Sequence, residues 1–533
     1  MSDGDRRVLI VAGLFLVVHA VLAWQSRPAG LEISQDGATY YVLGKSLLEG
    51  SYRELFRVDG PVHALYPPVY PAQLAVLQVV FGEGMVPPMA WGVFCSVASL
   101  AIVFLVLRQL FSSRLALAVL ALLAVNPILI ELAPQLRSET PFMMMSLASV
   151  GCFARPAPTR GWMIMGCAAA ILATLTRSAG VVLLPAIALH LLLLRRRKAL
   201  AGFVVACALT VGSWLVWTAL SPEQYIGRSY VADALSVMGL ADSTGIGNGG
   251  SPMMSVARIG RRVPYYAGLG VPWSMQMPTI DGTPVDNVVG AAVLSLLALA
   301  GALVLARKWR VAVFYMLAYA ALLIGWTWQA HRFLVPVIPL LASFIVVGGG
   351  WVLSRYAKRW IVPLSAVLLI PFVLTGATRA AAAIAVRPDC DRHGIPPEPA
   401  CMSGDQASFL EAAAYARTAL SPGTVVLSLK PAPFYVYTGL KSVGQGPVLA
   451  QSDATFGSYL DEQGVKYVLL GHLHTHEPRR LLSRLETMCR RLEVERYFAP
   501  RTYLLRLDPA NAAPDTEGAC PALARYRELA SED

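Results

Sequence analysis

The chain has 533 residues, 56% of them hydrophobic and 14% charged, and its mean hydropathy is +0.55. Soluble domains carry about a quarter charged residues, so this composition excludes a soluble protein of that length and indicates an integral membrane protein. The net charge of +11 would suggest nucleic-acid binding only if membrane topology did not explain the basic residues.

Apolar stretches close to the ~20 residues needed to cross a hydrocarbon core recur through residue 380. They predict eleven spans, at residues 8–24, 87–107, 115–131, 140–154, 161–176, 179–194, 199–220, 287–306, 311–329, 333–351 and 360–380. Residues 71–82 are too short to span and are predicted to lie at the membrane interface or to re-enter. Because the first stretch lacks a small-residue cleavage site, it is predicted to be a retained helix.

Basic residues occupy every second connection between the predicted spans, and those connections contain no Asp or Glu. The positive-inside rule therefore predicts that these connections and the N-terminus are cytoplasmic. The residues are Arg108, Arg114, Arg155, Arg160, Arg195, Arg196, Arg197, Lys198, Arg307, Lys308, Arg310, Arg355, Lys358 and Arg359. This orientation explains much of the basic excess, so no nucleic-acid partner is expected. Arginine far outnumbers lysine, which is typical of a GC-rich bacterial genome. The predicted location is the bacterial cytoplasmic membrane.

Two domains are predicted. Residues 1–385 form a transmembrane domain with long outer loops at about 25–86 and 221–286, and residues 386–533 form an extracytoplasmic α/β domain. Alternating helical and strand patterns predict the second domain. Its helices are expected at 409–420, 454–464 and 479–492, and its strands at 424–430, 465–471 and 501–507.

The eight cysteines divide by compartment. Four lie in predicted spans, where a buried thiol acts as a small hydrophobe. Cys390, Cys401, Cys489 and Cys520 lie in the predicted extracytoplasmic domain, where oxidation permits disulfides. Of the three possible pairings, Cys390–Cys401 with Cys489–Cys520 closes the most local loops. The nearest pattern to a metal site is His472, His474 and His476, in a segment predicted to be an exposed loop.

Ionisable residues at the ends of membrane helices are costly and tend to be functional. Several are distant in sequence but share one membrane depth at the outer ends of the predicted spans. They are Asp36, Arg137, Glu139, Arg177, His331 and Arg332. These residues are predicted to line one outward-facing pocket. The adjacent prolines of LYPPVYP (65–71) favour a stiff bend, which either holds Tyr66 and Tyr70 over the pocket or is a structural turn.

These residues lie in an ordered set of motifs that resembles the GT-C superfamily of membrane glycosyltransferases, within it the protein O-mannosyltransferase and aminoarabinose-transferase (ArnT)-like group. The resemblance covers about residues 1–350. Its motifs are an acidic residue after the first helix (Asp36), a G-x-Y-like helix end (49–52), a Pro-Pro stretch (66–71), an acidic residue before a proline (138–141) and a late Arg-aromatic-Leu helix start (332–339). Family members often have an Asp-Glu pair where this chain has Asp36-Gly37. ArnT-like enzymes carry a Lys ahead of the Pro stretch, where this chain has Tyr66.

The resemblance implies a GT-C-like bundle of about 11 helices and a sugar donor linked to polyprenyl phosphate. The acceptor would be a hydroxyl of a lipid, a glycan or a protein at the outer membrane face. Asp36 is the candidate base for that hydroxyl, although its position also suits a helix N-cap. Glu139 is a candidate to orient the acceptor, to assist Asp36, or to pair with Arg137.

A departing phosphate needs cationic partners, and guanidinium groups bind phosphate through two parallel hydrogen bonds. An arginine at a helix end also serves to anchor the helix by snorkelling. The candidates for binding substrate or phosphate are Arg332, His331, Arg177, Arg137, Tyr66, Tyr70, Tyr40, Lys45 and His63. One base with a cationic cradle predicts inversion of the anomeric centre. No cofactor is required, and a divalent cation shared by Asp36 and Glu139 is the alternative.

Residues 253–273 are predicted to form an amphipathic helix on the membrane, which either covers the lipid-phosphate site or packs on the outer surface. Two other functions compete for the whole chain: a multi-spanning transporter or flippase, and a non-catalytic component of cell-envelope polysaccharide assembly. A transporter places ionisable residues at mid-bilayer and often has two similar halves. The notable charges here lie at outer helix ends, which favours the enzyme.

Overall fold

The structure is a computed structural model of the chain. It describes residues 3–221 (except 29, 32, 156 and 157), 252–277, 288–326, 330–356, 361–385, 399–508 (except 403, 445–447, 449, 450, 472 and 474–476), and 520, 523, 524 and 526. The described part is mostly helical, with a small β-sheet after residue 424.

The helices up to residue 385 form an apolar bundle with its associated loops. They are α1 (Asp3–Gln25), α2 (Gln35–Leu48), α3 (Val69–Phe81), α4 (Val86–Leu110), α5 (Ser113–Ala124), α6 (Pro127–Leu132), α7 (Glu139–Cys152), α8 (Arg160–Thr176), α9 (Leu183–Leu193), α10 (Arg197–Leu220), α11 (Pro252–Tyr265), α12 (Val271–Ser274), α13 (Val288–Lys308), α14 (Arg310–Gly325), α15 (Ile338–Tyr356) and α16 (Ile361–Ala385). The 3₁₀ turn Ser178–Val182 precedes α9, and the 3₁₀ turn His331–Val337 precedes α15. A π-helical turn, Tyr266–Gly270, joins α11 to α12.

Within the described residues, five helical segments are long and apolar enough to cross a membrane. They are α1, α4, α10, α13 and the continuous segment His331–Tyr356. Shorter apolar helices of 10–17 residues accompany them, among them α3. The multi-pass helical architecture predicted from the sequence is confirmed, while the number of eleven spans stays a prediction.

The span predicted at 115–131 is wrong in one respect, because the structure divides it into α5 and α6. Asn126 lies at the break, where its side chain accepts a hydrogen bond from the N–H of Ile128 (3.1 Å) and donates to the carbonyl of Ser274 (2.9 Å). The carbonyl of Ala124, at the end of α5, lies 3.0 Å from Nδ1 of His19. Polar side chains thus satisfy the backbone groups that the break releases, as a lipid environment requires.

Helices α13 and α15 cross at two glycines. A Cβ atom on Gly301 would overlap the carbonyl oxygen of Phe344, and one on Gly348 would overlap that of Leu297. Small residues let membrane helices approach until their backbones touch, which maximises van der Waals contact where the hydrophobic effect supplies little attraction. The two glycines therefore fix α15, and the segment His331–Val337 that precedes it, against the bundle.

The bundle has two chemically different ends. At the basic end, Arg108 pairs with Asp5 (2.7 Å) and the Nζ atom of Lys308 donates to the carbonyl of Leu110 (3.1 Å). Two of the five connections rich in Arg and Lys, at 108–114 and 307–310, thus lie beside each other and beside the N-terminal end of α1. Helix α4 runs from this end to the Asp36 end, where Met85 packs with α2 and with the C-terminal region.

The C-terminal region contains helices α17 (Gly404–Ala419), α18 (Pro431–Thr438), α19 (Asp453–Glu462) and α20 (Glu477–Glu486), and strands β1 (Val425–Ser428), β2 (Ser442–Gly444), β3 (Val465–Leu470), β4 (Leu492–Phe498) and β5 (Thr502–Leu507). The strand order is β2-β1-β3-β5-β4. Strand β1 is parallel to β2 and β3, and β5 is antiparallel to β3 and β4. Strands β1, β3 and β5 lie at the three predicted strand positions and form the centre of the sheet. The edge strands β2 and β4 and the helix α18 were not predicted, and the helix predicted over 479–492 ends at Glu486.

The predicted Cys489–Cys520 disulfide is present. It ties the C-terminal segment to the sheet, where Tyr526 is buried against Tyr503. Cys401 is also disulfide-bonded, while Cys390 lies outside the described residues. The three histidines nearest to a metal-site pattern, His472, His474 and His476, also lie outside the described residues.

Helix α18 attaches the C-terminal region to the segment around Asp36. The hydroxyl of Tyr437 donates to the buried carbonyl of Leu31 (2.6 Å), and the N–H of Ala432 donates to Oε1 of Gln35 (3.4 Å). Apolar residues of α2 and α18 share one core, which includes Tyr41 and Phe434. The C-terminal region therefore packs directly on the helix that carries Asp36.

Candidate active site

Asp36 lies in the first turn of α2, and two different elements bind its carboxylate. Oδ1 accepts a hydrogen bond from the hydroxyl of Tyr66 (2.8 Å), and Oδ2 accepts one from Nη2 of Arg332 (3.0 Å). The side chains of Asp36 and Arg332 are 33% and 39% exposed. Since each carboxylate oxygen carries two lone pairs, Asp36 retains capacity for a further donor on its open side.

The N-cap interpretation of Asp36 is not supported, because the cap of α2 is Ser34. The next residue, Gly37, explains the departure from an Asp-Glu pair. A Cβ atom there would lie 2.7 Å from the carbonyl oxygen of Leu136, closer than a real Cβ atom comes. A second carboxylate cannot occupy this position without moving the loop before α7.

The electrostatic surroundings keep Asp36 ionised. Burial raises the pKa of its carboxyl, but the Arg332 guanidinium, the Tyr66 hydroxyl and the more distant Arg177 outweigh burial and hold the pKa below its ordinary value. A base must be deprotonated to accept a proton, so this carboxylate is in its reactive form at neutral pH.

Three tyrosines predicted to bind substrate form one aromatic cluster. The ring of Tyr40 stacks on that of Tyr66 with centroids 4.5 Å apart and meets Tyr70 edge to face at 4.9 Å. Of these three tyrosines, Tyr66 is the one whose hydroxyl bonds Asp36 in the described structure. Tyr70 is buried, and Tyr40 contacts Ser138, with its hydroxyl 3.0 Å from the Oγ atom.

Glu139 begins α7 and belongs to a second, more enclosed ion pair. Its Oε1 lies 3.2 Å from Nη1 of Arg177, and that nitrogen also donates to Oγ of Ser138 (2.9 Å). The side chains of Glu139 and Arg177 are 4% and 19% exposed. Of the roles predicted for Glu139, the structure therefore supports an ion pair, with Arg177 as its partner where the sequence suggested Arg137.

Phe333 connects the two ion pairs. The guanidinium carbons of Arg177 and Arg332 lie 5.9 and 5.7 Å from its ring centroid. The predicted cations at positions 177 and 332 are thus neighbours on one aromatic side chain. Their charges lie at the same end of the bundle as Asp36 and Glu139, although the four residues come from four separate stretches of sequence.

His331 contacts the long outer loop. Its Nδ1 atom lies 3.2 Å from the hydroxyl of Tyr265, and its ring packs beside Tyr265 and Trp273. The predicted amphipathic helix at 253–273 is present as α11, the π-helical turn and α12. Ile259 and Val263 are exposed, as a face toward lipid requires, whereas Arg262 is buried and donates to the carbonyl of Leu323 (3.2 Å).

Two other predicted residues bond to partners away from Asp36. Lys45 pairs with Glu83 (2.7 Å) near the end of α2. His63 is 2% exposed and lies 2.7 Å from Oε1 of Glu54. A third, Arg137, is half-buried in the loop between α6 and α7, beside Ser138.

Sequence reasoning missed two residues that organise this end of the bundle. Ser138 bridges Tyr40 and Arg177, and Glu54 bonds His63. Ser138 precedes the acidic residue of a predicted motif, so its place in that motif was a usable signal. Glu54 carried none, because a glutamate in a long polar loop is usually solvated.

No group of three or more His, Cys, Asp or Glu side chains that could hold a metal ion occurs among the described residues. Asp36 and Glu139 each bond a different arginine, so protein cations balance both carboxylates.

The chain is similar in sequence to one protein family and in fold to several solved structures. Residues 66–220 match the family of dolichyl-phosphate-mannose-protein mannosyltransferases. No curated protein matches the chain. ArnT from Cupriavidus metallidurans in the apo state has a TM-score of 0.59 at 15% identity, over 96% of this chain and 100% of that one.

The same ArnT bound to undecaprenyl phosphate has a TM-score of 0.55 at 16% identity, over 94% of this chain and 99% of that one. The oligosaccharyltransferase AglB from Archaeoglobus fulgidus, in complex with an inhibitory peptide and a dolichol-phosphate, has a TM-score of 0.54 at 14% identity, over 88% of this chain and 70% of that one. The family match and the shared fold confirm the predicted resemblance to the GT-C superfamily of membrane glycosyltransferases.

Proposed function

We propose that this protein transfers a sugar from a polyprenyl-phosphate donor to an acceptor hydroxyl at the outer face of a bacterial cytoplasmic membrane. The observation that carries the proposal is the Asp36 carboxylate, which is ionised, one-third exposed and held by Tyr66 and Arg332 at one end of the bundle. A base beside an arginine is the pair of groups that this transfer requires.

Asp36 accepts the proton of the acceptor hydroxyl as the acceptor oxygen bonds to the anomeric carbon. The bond between that carbon and the phosphate oxygen breaks, and its electron pair leaves with the polyprenyl phosphate. Attack from the side opposite the phosphate inverts the anomeric centre. Phosphate needs no protonation to leave, so a second carboxylic acid of the kind glycosidases use is not required.

Arg332 stabilises the departing phosphate. A guanidinium has five N–H donors, and the described contact with Asp36 uses one of them. The remaining donors can bind phosphate while the arginine still holds the base, which fixes the distance between the two reacting groups. Arg177 lies farther inside and adds positive charge behind Arg332.

The membrane suits such a donor. The polyprenyl chain remains in the bilayer while its phosphate reaches the Asp36 end. Since basic connections and the N-terminal end of α1 meet at the opposite end, the positive-inside rule favours a cytoplasmic position for that end and an extracytoplasmic one for the Asp36 end. The C-terminal region then lies outside the cytoplasm, over α2, where it can contact a lipid, glycan or protein acceptor.

The test uses purified protein in lipid nanodiscs, a panel of radiolabelled polyprenyl-phosphate sugars and a membrane extract as acceptor. Asp36→Asn should reduce transfer by about 100-fold or more, since loss of a general base typically costs that much. Asp5→Asn is the matched control, because Asp5 is also paired with an arginine, at the basic end. It should leave transfer unchanged.

Substantial transfer by Asp36→Asn, with folding intact, would remove Asp36 as the base. Passage of a labelled solute across sealed vesicles, with no donor consumed, would replace the enzyme by a transporter. Donor consumption that depends on Asp36 and not on Asp5 supports the proposal.

A further inference from the structure

Tyr66 is held more firmly than its loop position requires. Its N–H donates to Nε2 of His63 (2.9 Å), and its carbonyl accepts from the hydroxyl of Tyr52 (2.8 Å). Side chains therefore bind both polar groups of its backbone. Pro67 follows and confines Tyr66 to extended conformations. These restraints aim the phenol, whose hydroxyl reaches Asp36.

The bond from Tyr66 N–H defines the state of the His63 ring. A nitrogen that accepts an N–H cannot carry its own proton, so Nε2 is unprotonated and the proton lies on Nδ1. Nδ1 then donates to Oε1 of Glu54 (2.7 Å). The carboxylate selects the tautomer that presents a lone pair to Tyr66, as carboxylates do behind metal-bound histidines.

This arrangement is enclosed. His63 and Glu54 are 2% and 1% exposed. The carbonyl of His63 accepts from Nε1 of Trp217 on α10 (3.3 Å), and Arg57 lies 3.5 Å from the other oxygen of Glu54. With both ring nitrogens bonded inside the protein, His63 presents neither of them to a substrate.

We propose that Glu54 and His63 are positioning residues for the base: they set the backbone of Tyr66 so that its hydroxyl binds Oδ1 of Asp36. This inference rests on the proposed transferase function and replaces the substrate-binding role predicted for His63. Its consequence is that His63 acts on the chemical step through Tyr66 and leaves the binding of the donor unaffected.

Two substitutions separate these roles. His63→Gln places an amide oxygen near the position of Nε2 and keeps an acceptor for Tyr66 N–H, whereas His63→Leu fills similar space without one. His63→Leu should lower kcat roughly tenfold with an unchanged donor KM, because it loosens a hydrogen bond to a charged group. His63→Gln should retain most of the wild-type kcat.

The double variant His63→Leu/Tyr66→Phe completes the experiment. If His63 acts through Tyr66, the double variant is no slower than Tyr66→Phe alone, since both remove one interaction. Thermal unfolding of each variant in detergent shows whether it is folded. Should His63→Leu not fold, His63→Asn takes its place in the same cycle, because its shorter amide can still donate to Glu54 but offers no acceptor at the position of Nε2.

A raised donor KM with normal kcat in His63→Leu would overturn the inference in favour of direct donor binding. The inference would also be overturned if His63→Gln and His63→Leu lowered kcat equally, or if His63→Leu did not lower it at all. Additive losses of kcat in the double variant would overturn it as well. Failure of the proposed function is separate, since it would show as absent wild-type transfer or as full transfer by Asp36→Asn.

Discussion

Two arginine–carboxylate pairs lie at the Asp36 end of the bundle, and their surroundings differ. Asp36 and Arg332 are 33% and 39% exposed, whereas Glu139 and Arg177 are 4% and 19% exposed. An exposed ion pair contributes about 0–1 kcal/mol to stability, while loss of one partner from a buried pair costs several kcal/mol. The same chemical pair is therefore suited to reaction in one place and to structure in the other.

Arg332→Gln gives the largest effect expected from this comparison. It removes the charge beside both the base and the phosphate, so transfer should fall by about 100-fold, as for other groups that stabilise developing charge. The unfolding temperature should fall less than for Glu139→Gln, because the pair is only partly buried and solvent screens part of its charge. Transfer assays and thermal unfolding on the same preparations check both statements.

Arg332→Lys sharpens that result. It keeps the charge and loses the planar fork, so its transfer rate should lie between those of Gln and the wild type. Full activity in the lysine variant would mean that charge alone suffices and that two parallel hydrogen bonds to phosphate are not used.

Glu139→Gln should act mainly on stability. The amide keeps the shape but leaves the Arg177 guanidinium without a counter-charge in a mostly buried site, which should cost about 3–5 kcal/mol. A lower unfolding temperature than in Asp36→Asn is the expected outcome. If Glu139→Gln instead unfolds like the wild type and loses transfer, Glu139 takes part in the reaction and the contrast between the two pairs fails.

The sequence predicts which residues meet at one membrane depth, because charge and helix ends are readable from hydropathy. It does not predict the pairs, since Asp36 with Arg332 and Glu139 with Arg177 depend on how four helices pack. The break at Asn126 was missed because the apolar run continues through it. Strand β4 was missed for the opposite reason: four of its seven residues are exposed, so LEVERYF carries no buried pattern.

The pH dependence of transfer gives the smallest expected effect. Arg332 and Tyr66 hold the pKa of Asp36 below its ordinary value against the effect of burial. A carboxyl with a lowered pKa is ionised above its unfolded pKa and loses its charge, with the stability that charge confers, only as pH falls through the folded value. The transfer rate should therefore be unchanged from about pH 7.5 to about pH 5, because this whole interval lies above the ordinary pKa of an aspartate.

The variant Arg332→Gln tests the cause of this behaviour. With the guanidinium gone, burial dominates, so the acid limb of the residual activity should move to higher pH. His331→Gln is the control, because burial lowers the pKa of the neighbouring His331 imidazole below its ordinary value and so toward the acid range of this measurement. A wild-type loss between pH 7 and 5 that persists in His331→Gln would mean that burial of Asp36 prevails, and then the exposed pair would not be poised for proton transfer.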